Sequence, residues 1–338
     1  MRPVFATAAG VLLLAAILSG QKSAPRTHPL EATPATVAYG HYDAATKPVL
    51  TIASGDIIDV DTLLTNVPDR LERAGVRPDQ VQDSLRKIVA EVKDRGPGGH
   101  ILTGPVFVEG AAPGDALEVK VLSISLPIPY GYNGCRGFLP ENCSPGEARI
   151  IPLDAKRMIG TFQEGIEIPL RPFFGSMGVA PPRAAGRISS NPPWIHAGNL
   201  DNKELVAGTT LFIPVHVPGA LFEVGDGHAA QGDGEVDQTA IETSLRGRLQ
   251  LTVRKGMKLS WPRAETPAHF ISMGTDEDLT KATRIAIQEM IDFLVAHKKL
   301  DRHAAYQLTS IAGDVAITQL VDGKVGVHVK MPKNIFKK

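Results

Sequence analysis

Apolar and polar residues alternate over much of the chain, and the alternation predicts short strands. "KPVLTIASGDIIDVDTLL" carries two such runs on either side of a Gly55-Asp56 turn. "GPVFVEGAAPGDALEVKVLSISLPI" predicts two more strands around a Pro-Gly-Asp turn, and "SPGEARIIPLDAKRMIGTFQEGIEIPLRPFFG" continues as short strands. "ELVAGTTLFIPVHVPGALFEV" reads as strand, "TAIETSLRGRLQLTVRKG" as a strand pair, and "AITQLVDGKVGVHVKM" as a closing hairpin. The segment from Phe173 to Pro193, "FFGSMGVAPPRAAGRISSNPP", shows neither period and reads as loop. Helical spacing occurs in a few places. Val81, Leu85, Ile88, Val89 and Val92 fall on one face, with Gly96 as a stop. Leu279, Ala282, Ile285, Ala286, Met290, Phe293 and Leu294 define a long late helix, with Thr275 and Asp278 placed as a capping box. A shorter helix covers "DRHAAYQLTSIAG".

Composition agrees with this β-dominated picture. The chain has 338 residues, 43% hydrophobic and 21% charged, which fits a globular protein with a sizeable core. Gly 33 and Pro 26 suit a turn-rich β protein. Lys+Arg and Asp+Glu both number 36, so no charge excess favours nucleic acid or an anionic membrane as a partner. The first residues stand apart. Arg2 precedes an apolar run from Val4 to Leu18, the length of a signal-peptide core rather than of a spanning helix. The expectation is an exported chain, periplasmic or secreted, with residues 1–30 as signal peptide and linker and no stable membrane anchor after processing. An uncleaved anchor is the alternative. Cys135 and Cys143, in "GCRGFLPENCSPG", are either a short-loop disulfide or two independent thiols. Their spacing suits neither a zinc knuckle nor a redox pair.

Candidate chemistry concentrates in "VGDGHAAQGDGEV", residues 224–236, where Gly-Asp-Gly-His is followed by Gly-Asp-Gly-Glu. In an extended strand, residues two apart point the same way. Asp226 then pairs with His228, and Asp233 with Glu235. A turn through residues 229–232 would fold the two arms into a hairpin and bring the pairs together. Mixed histidine and carboxylate ligands suit zinc, and an all-oxygen set suits calcium. The bland reading is a solvated, glycine-rich hairpin, since Asp and Gly serve turns for local reasons. The apolar flanks argue for a site at a sheet end.

Further candidates lie elsewhere. His100 precedes a strand in "GPGGHILTGPVFVEGA". "WIHAGNLDNKEL" packs His196, Asn199, Asp201 and Asn202 before another strand. Helical zinc-protease, P-loop and nucleophile-elbow motifs are absent from the sequence. A metal or carboxylate mechanism remains. In that reading Asp226, His228, Asp201 and His100 hold a divalent ion, zinc or calcium. Glu235 or Asp233 is the base, and His196 and Asn199 stabilise the oxyanion. Gln231, Tyr132 and Asn133 are read as substrate-binding.

Several stretches together resemble the acetamidase/formamidase family: "LTIASGD", "HILTGPVFVEGAAPGDALEV", "YGYNGCRGFLPE", "PFFGSMGVAPP", "TAIET", and the long block "GNLDNKELVAGTTLFIPVHVPGALFEVGDGHAAQGDGEV". They occur in the family's order, from about Ala38 to the late helices. The resemblance implies a mainly β fold with some α: a sandwich-like part, a barrel-like part, a small α/β part and late helices. It makes residues 31–338 one catalytic region. It implies hydrolysis of short aliphatic amides to carboxylate and ammonia, and by analogy a homo-oligomer, a dimer. Two positions depart from the family. Ala38 and Tyr39 stand where a His-Trp-like pair is common, with His41 close by in a shifted register. Asp237 replaces a small or sulfur residue after "GEV". Two other functions stay open: an exported metal- or ligand-binding protein on the same scaffold without amidase activity, and a purely structural calcium site.

Overall fold

A computed structural model describes residues 24–144 and 146–337. The apolar run expected to form a signal peptide lies outside them. Two large sheets face each other. In the nine-stranded sheet, Thr27–Leu30 forms one edge beside Ile57–Thr62, Leu245–Arg254 and Ala116–Ser125. The other half runs through Thr210–Pro214, Arg263–Glu265 and His269–Asp276 to the closing hairpin, Val325–Pro332 with Asp314–Gln319. In the second sheet, Phe222–His228 lies between Phe173–Gly178 and Ile101–Val108, and Ala197–Asn199 and Val37–Tyr39 lie outside these. Leu50–Ile52 joins Ile101–Val108 in parallel. A four-stranded sheet, Tyr130–Gly134 to Ile166–Pro169, stands beside them.

The alternation has a direct outcome. Ile58, Val60, Val119, Val121, Leu249 and Leu251 point from the first sheet into one core, and Val106, Phe174, Phe222 and Val224 meet them from the second. Residues of opposite parity turn away from this core, Lys120 and Arg248 being exposed and Asp59 half-buried. The late helix Leu279–Lys298 and its successor Arg302–Ala312 bury Ala282, Ala286, Met290, Leu294 and Ala305 against Val327, Val329 and Met331. The helix Asp83–Glu91 buries Leu85 and Ile88 in a third cluster.

Four local expectations change. Phe173–Gly178 is a strand inside a sheet, not a loop. It is buried on both faces, so it carries no alternation to read. Thr27–Leu30 is an edge strand paired with Ile57–Thr62, not a linker; His28 accordingly reaches Asp56 at 2.8 Å. The long helix is capped by Asp278 alone, whose carboxylate accepts from the Lys281 N–H at 2.8 Å, because Thr275 belongs to the preceding strand. "TAIETSLRGRLQLTVRKG" yields one strand, Leu245–Arg254. The residues before it run as a connection that touches Tyr132 and His228 by single bridges at Glu242. Cys135 and Cys143 are disulfide-bonded, with Cα atoms 5.5 Å apart.

Glu289, on the long helix, borders a cavity of about 200 Å³ with Arg263, Ser272 and Phe293. Burial pushes its carboxyl up to about 7, Asp292 adds to this, and Arg263 only partly opposes it. The folded state therefore holds a proton there that the unfolded chain releases at lower pH. Stability from this group is complete below the ordinary carboxylate pKa and is lost as pH rises through about 7. Glu289→Gln is expected to flatten the fall in unfolding midpoint between pH 5 and pH 8, measured by thermal denaturation. An unchanged slope would show that the group is solvated.

Candidate metal and active site

Six side chains from five parts of the fold converge. Asp226 and His228 come from the strand Phe222–His228, with their side chains on one face as the two-residue spacing requires. His228 Nε2 lies 3.2 Å from Asp226 Oδ2, 3.3 Å from Glu242 Oε2 and 3.9 Å from Asp201 Oδ1. None of the three meets hydrogen-bond geometry, and Nε2 has no partner among the described residues. Asp201 follows the edge strand Ala197–Asn199, and Asn199 donates to its Oδ2 at 2.7 Å. Glu242 enters on the connection before Leu245, its Oε1 accepting from the Ala240 N–H at 2.9 Å. Glu235 lies in the loop after the strand. Asp322 is in the turn of the closing hairpin, which docks on that loop: Gly234 donates to Thr318 O at 3.0 Å and accepts from Leu320 at 3.1 Å.

The expected two-armed hairpin does not form. Residues 229–241 are a loop, and its two acids part. Glu235 is buried in the cluster, whereas Asp233 faces outward and pairs with Lys203 at 2.8 Å. Asp201, Asp226 and Glu235 all have left-handed backbones, with φ of 46°, 55° and 43°. Each such residue costs on the order of 1–3 kcal/mol, so three around one point mark a site whose function outweighs local comfort. Gly175 stands opposite Asp226 across the sheet, between the pairs Phe174–Gly227 and Ser176–Gly225. A Cβ there would lie 2.6 Å from Asp226 Oδ2 and against Asp201 Oδ1.

The electrostatics explain what the cluster needs. Burial raises Asp201, Glu235 and Glu242, and neighbouring carboxylates add to it; burial pushes Asp322 up to about 6. Burial would also raise Asp226, but His100 and His228 hold it well below the usual range. Burial alone would lower His228, and Glu242 and Asp226 reverse that. Asp201 Oδ1, Glu235 Oε2, Glu242 Oε2, Asp322 Oδ2 and His228 Nε2 are buried atoms without hydrogen-bond partners among the described residues. Three triads, Asp201–Asp226–His228, His228–Glu235–Glu242 and Asp201–Glu235–Asp322, each bring ligand atoms within 4.8 Å of one another. Such a set could hold a divalent cation. Gln231 supports this: its side-chain oxygen accepts from His228 Nδ1 at 2.8 Å while its amide donates to Asp201 O at 2.7 Å. Nδ1 is thus engaged by Gln231, and Nε2 is the ring atom turned to the carboxylates, the one that would ligate a metal on giving up its proton.

A cleft of about 870 Å³ reaches the cluster, and His100, Tyr132, Asp226, Glu242 and Asp322 line it. His100 Nε2 is 3.7 Å from Asp226 Oδ1. Other expected residues take supporting places. Gln231 orients His228. Asn133 donates to Thr239 Oγ1 at 2.9 Å and Ala240 O at 3.1 Å, fixing the connection that carries Glu242. His196 is outside the cluster, buried between the Tyr42 and Trp194 rings, and burial lowers its pKa to about 3. His41 likewise stays apart, bonded to Tyr39 O at 3.1 Å. Sequence reasoning missed Glu242, Asp322 and Gly175. For Glu242 a weak signal existed, an acid in a stretch flanking the glycine-rich run.

Gly175→Ala is expected to abolish cation binding, measured as metal per chain by elemental analysis. Gly232→Ala, where an added Cβ meets nothing within 4 Å, is expected to bind normally. Equal metal content in the two variants would show that the close approach at Gly175 is irrelevant to the cluster.

Comparison with known proteins identifies the family. The sequence matches the Acetamidase/Formamidase family over residues 46–187 and 183–338. It is 28% identical over 305 residues to the formamidase of Methylophilus methylotrophus, covering 68% of this chain and 74% of that one. With the acetamidase of Mycolicibacterium smegmatis it shares 26% identity over 200 residues, 41% of this chain and 49% of that one. The chain thus spans about half the length of some curated relatives it matches. A crystal structure of an acetamidase from Yersinia enterocolitica superposes with a TM-score of 0.79 at 28% identity, covering 95% of this chain and 96% of that chain. On both the matched sequence and the shared fold, this chain belongs to the acetamidase/formamidase family.

Proposed function

We propose that the protein hydrolyses short aliphatic amides to a carboxylate and ammonia, with a divalent cation bound at the buried cluster. The observation that carries this reading is the buried set of partnerless carboxylate oxygens with the His228 Nε2, which a cleft reaches at Asp226, Glu242 and Asp322. Family membership supports it. Asp201, Asp226 and His228 are the residues that would hold the cation. When bound, such an ion lowers the pKa of a water and polarises an amide carbonyl.

The chain's own groups do the rest. Glu242 faces the cleft with Oε1 fixed by the Ala240 N–H, which leaves Oε2 to take the proton of the attacking water and return it to the leaving nitrogen. Glu235 is placed behind it, away from the cleft, and its role moves from base to a further ligand. His100 is the imidazole on the cleft wall, so it replaces His196 and Asn199 as donor to the developing oxyanion. Tyr132 closes one side over the substrate. Export remains part of the reading, on the strength of the apolar run after Arg2. Mass spectrometry of protein from its native cells should find the first residues missing, and an intact Met1 would remove that part.

Ammonia release from formamide, acetamide and propionamide, with and without chelator, tests the reading. Turnover that chelation abolishes and a divalent metal restores is expected; no turnover of any amide would leave a binding protein instead. Glu242→Gln is expected to lower kcat by about a hundredfold or more while bound metal stays near one per chain. Asp226→Asn is expected to lose metal and rate together, and its unfolding midpoint should no longer respond to added metal, because a ligand stabilises only a fold that binds it. A Glu242→Gln variant with full activity would assign the base elsewhere.

A further inference from the structure

The cleft has two chemically opposed regions. Its floor is acidic, formed by the buried Asp226 and Glu242 and the half-buried Asp322 beside His100. Its rim carries Arg70 and Arg73, from the short helix Pro68–Arg73, and Arg136, from the disulfide-closed loop. All three arginines are exposed. Nearby, Arg77 pairs with Asp79 and Arg86 with Glu72, but no ion pair engages Arg70, Arg73 or Arg136 among the described residues. Glu147 is the acid on the same wall, and its carboxylate already accepts from the Ser144 N–H at 3.0 Å.

Size points the same way as charge. A cleft of about 870 Å³ is in the range that encloses ligands of many atoms, far more than formamide or acetamide offers. A neutral two-carbon amide would occupy the floor and leave the rim in water. Guanidinium groups present a planar fork of donors that matches a carboxylate. The geometry points to a substrate that spans both regions: a linear amide with a carboxylate at its far end, that is, a monoamide of a small dicarboxylic acid, whose carboxylate is held by Arg70, Arg73 and Arg136. This rests on the amidase reading of the same cleft. The reaction is then carboxylate–R–CONH2 plus water giving a dicarboxylate and ammonium, with water supplying the oxygen of the new carboxylate and ammonia leaving with the balancing proton.

The test compares kcat/KM for succinamate, glutaramate and propionamide in the metal-loaded enzyme, and measures succinate binding by calorimetry. The expected result is a preference for an anionic amide over propionamide of at least about tenfold, the factor that one charge-assisted hydrogen bond supplies. The preference should shrink when ionic strength rises from about 0.05 to 0.5 M, since rim charges are screened. The variant Arg70→Gln/Arg73→Gln/Arg136→Gln should lose most of that ratio and most succinate binding, whereas Arg77→Gln should keep both. A ratio near one in the wild-type enzyme, or a ratio the triple variant leaves intact, overturns the inference while the amidase reading stands. If no amide is turned over, that reading fails. Succinate binding that the triple variant loses would still uphold an anion site on the rim, and binding unaffected by it would overturn that as well.

Discussion

Five carboxylates gather round one imidazole, four of them buried and the fifth half-buried at the end of a cleft, and the repulsion among the carboxylates is the constraint on which the site depends. At an effective dielectric of about 20, two like charges about 4 Å apart repel by about 4 kcal/mol. A whole domain is stable by only about 5–15 kcal/mol. The five acids therefore cannot all ionise in the folded chain unless positive charge is added among them. Protons can supply it, which is why burial raises Asp201, Glu235, Glu242 and Asp322. A divalent cation supplies it better, because it also takes up the oxygens and the Nε2 that lack hydrogen bonds.

The fold provides the rigidity that holds such a cluster together. Phe222–His228 is a central strand of its sheet, and Phe222 and Val224 on it are fully buried in the core between the two sheets. The same strand carries Asp226 and His228 on its functional face. Gly175 lets the neighbouring strand pass close to them without a side chain between. The left-handed backbones at Asp201, Asp226 and Glu235 turn their carboxylates inward. Local strain of this kind persists because the surrounding sheets fix the chain on both sides. The remaining acids of the cluster are brought by contacts distant in sequence: the closing hairpin docks on Gly234 and delivers Asp322, and Asn133 clamps the connection before Glu242.

These origins explain how much was legible beforehand. The β-rich class, the late helices and the closing hairpin followed from periodicity and turns, because each depends on residues near one another in the chain. Asp226 and His228 were legible for the same reason, as same-face residues of one strand. Asp201 and His100 were placed by local composition and by family resemblance. Glu242 and Asp322 were not found, since nothing within a few residues of either shows which distant loop it will meet. Asp233 was overvalued: its spacing from Glu235 implied a shared face, but the second arm is not extended, and Lys203 draws it outward. The strand Phe173–Gly178 escaped because a segment buried on both faces, rich in small residues, has no polar alternation. His196 has the right chemistry in the sequence and the wrong surroundings in the fold, enclosed by aromatic rings.

The most direct measurement is anomalous X-ray scattering from crystals grown with a divalent transition metal, with data collected on both sides of that metal's absorption edge. The expected result is a single strong peak between Asp201, Asp226 and His228, with Glu242 turned toward the cleft. A contradicting result would be no peak in the cluster, with the carboxylates instead within hydrogen-bond distance of one another and sharing protons.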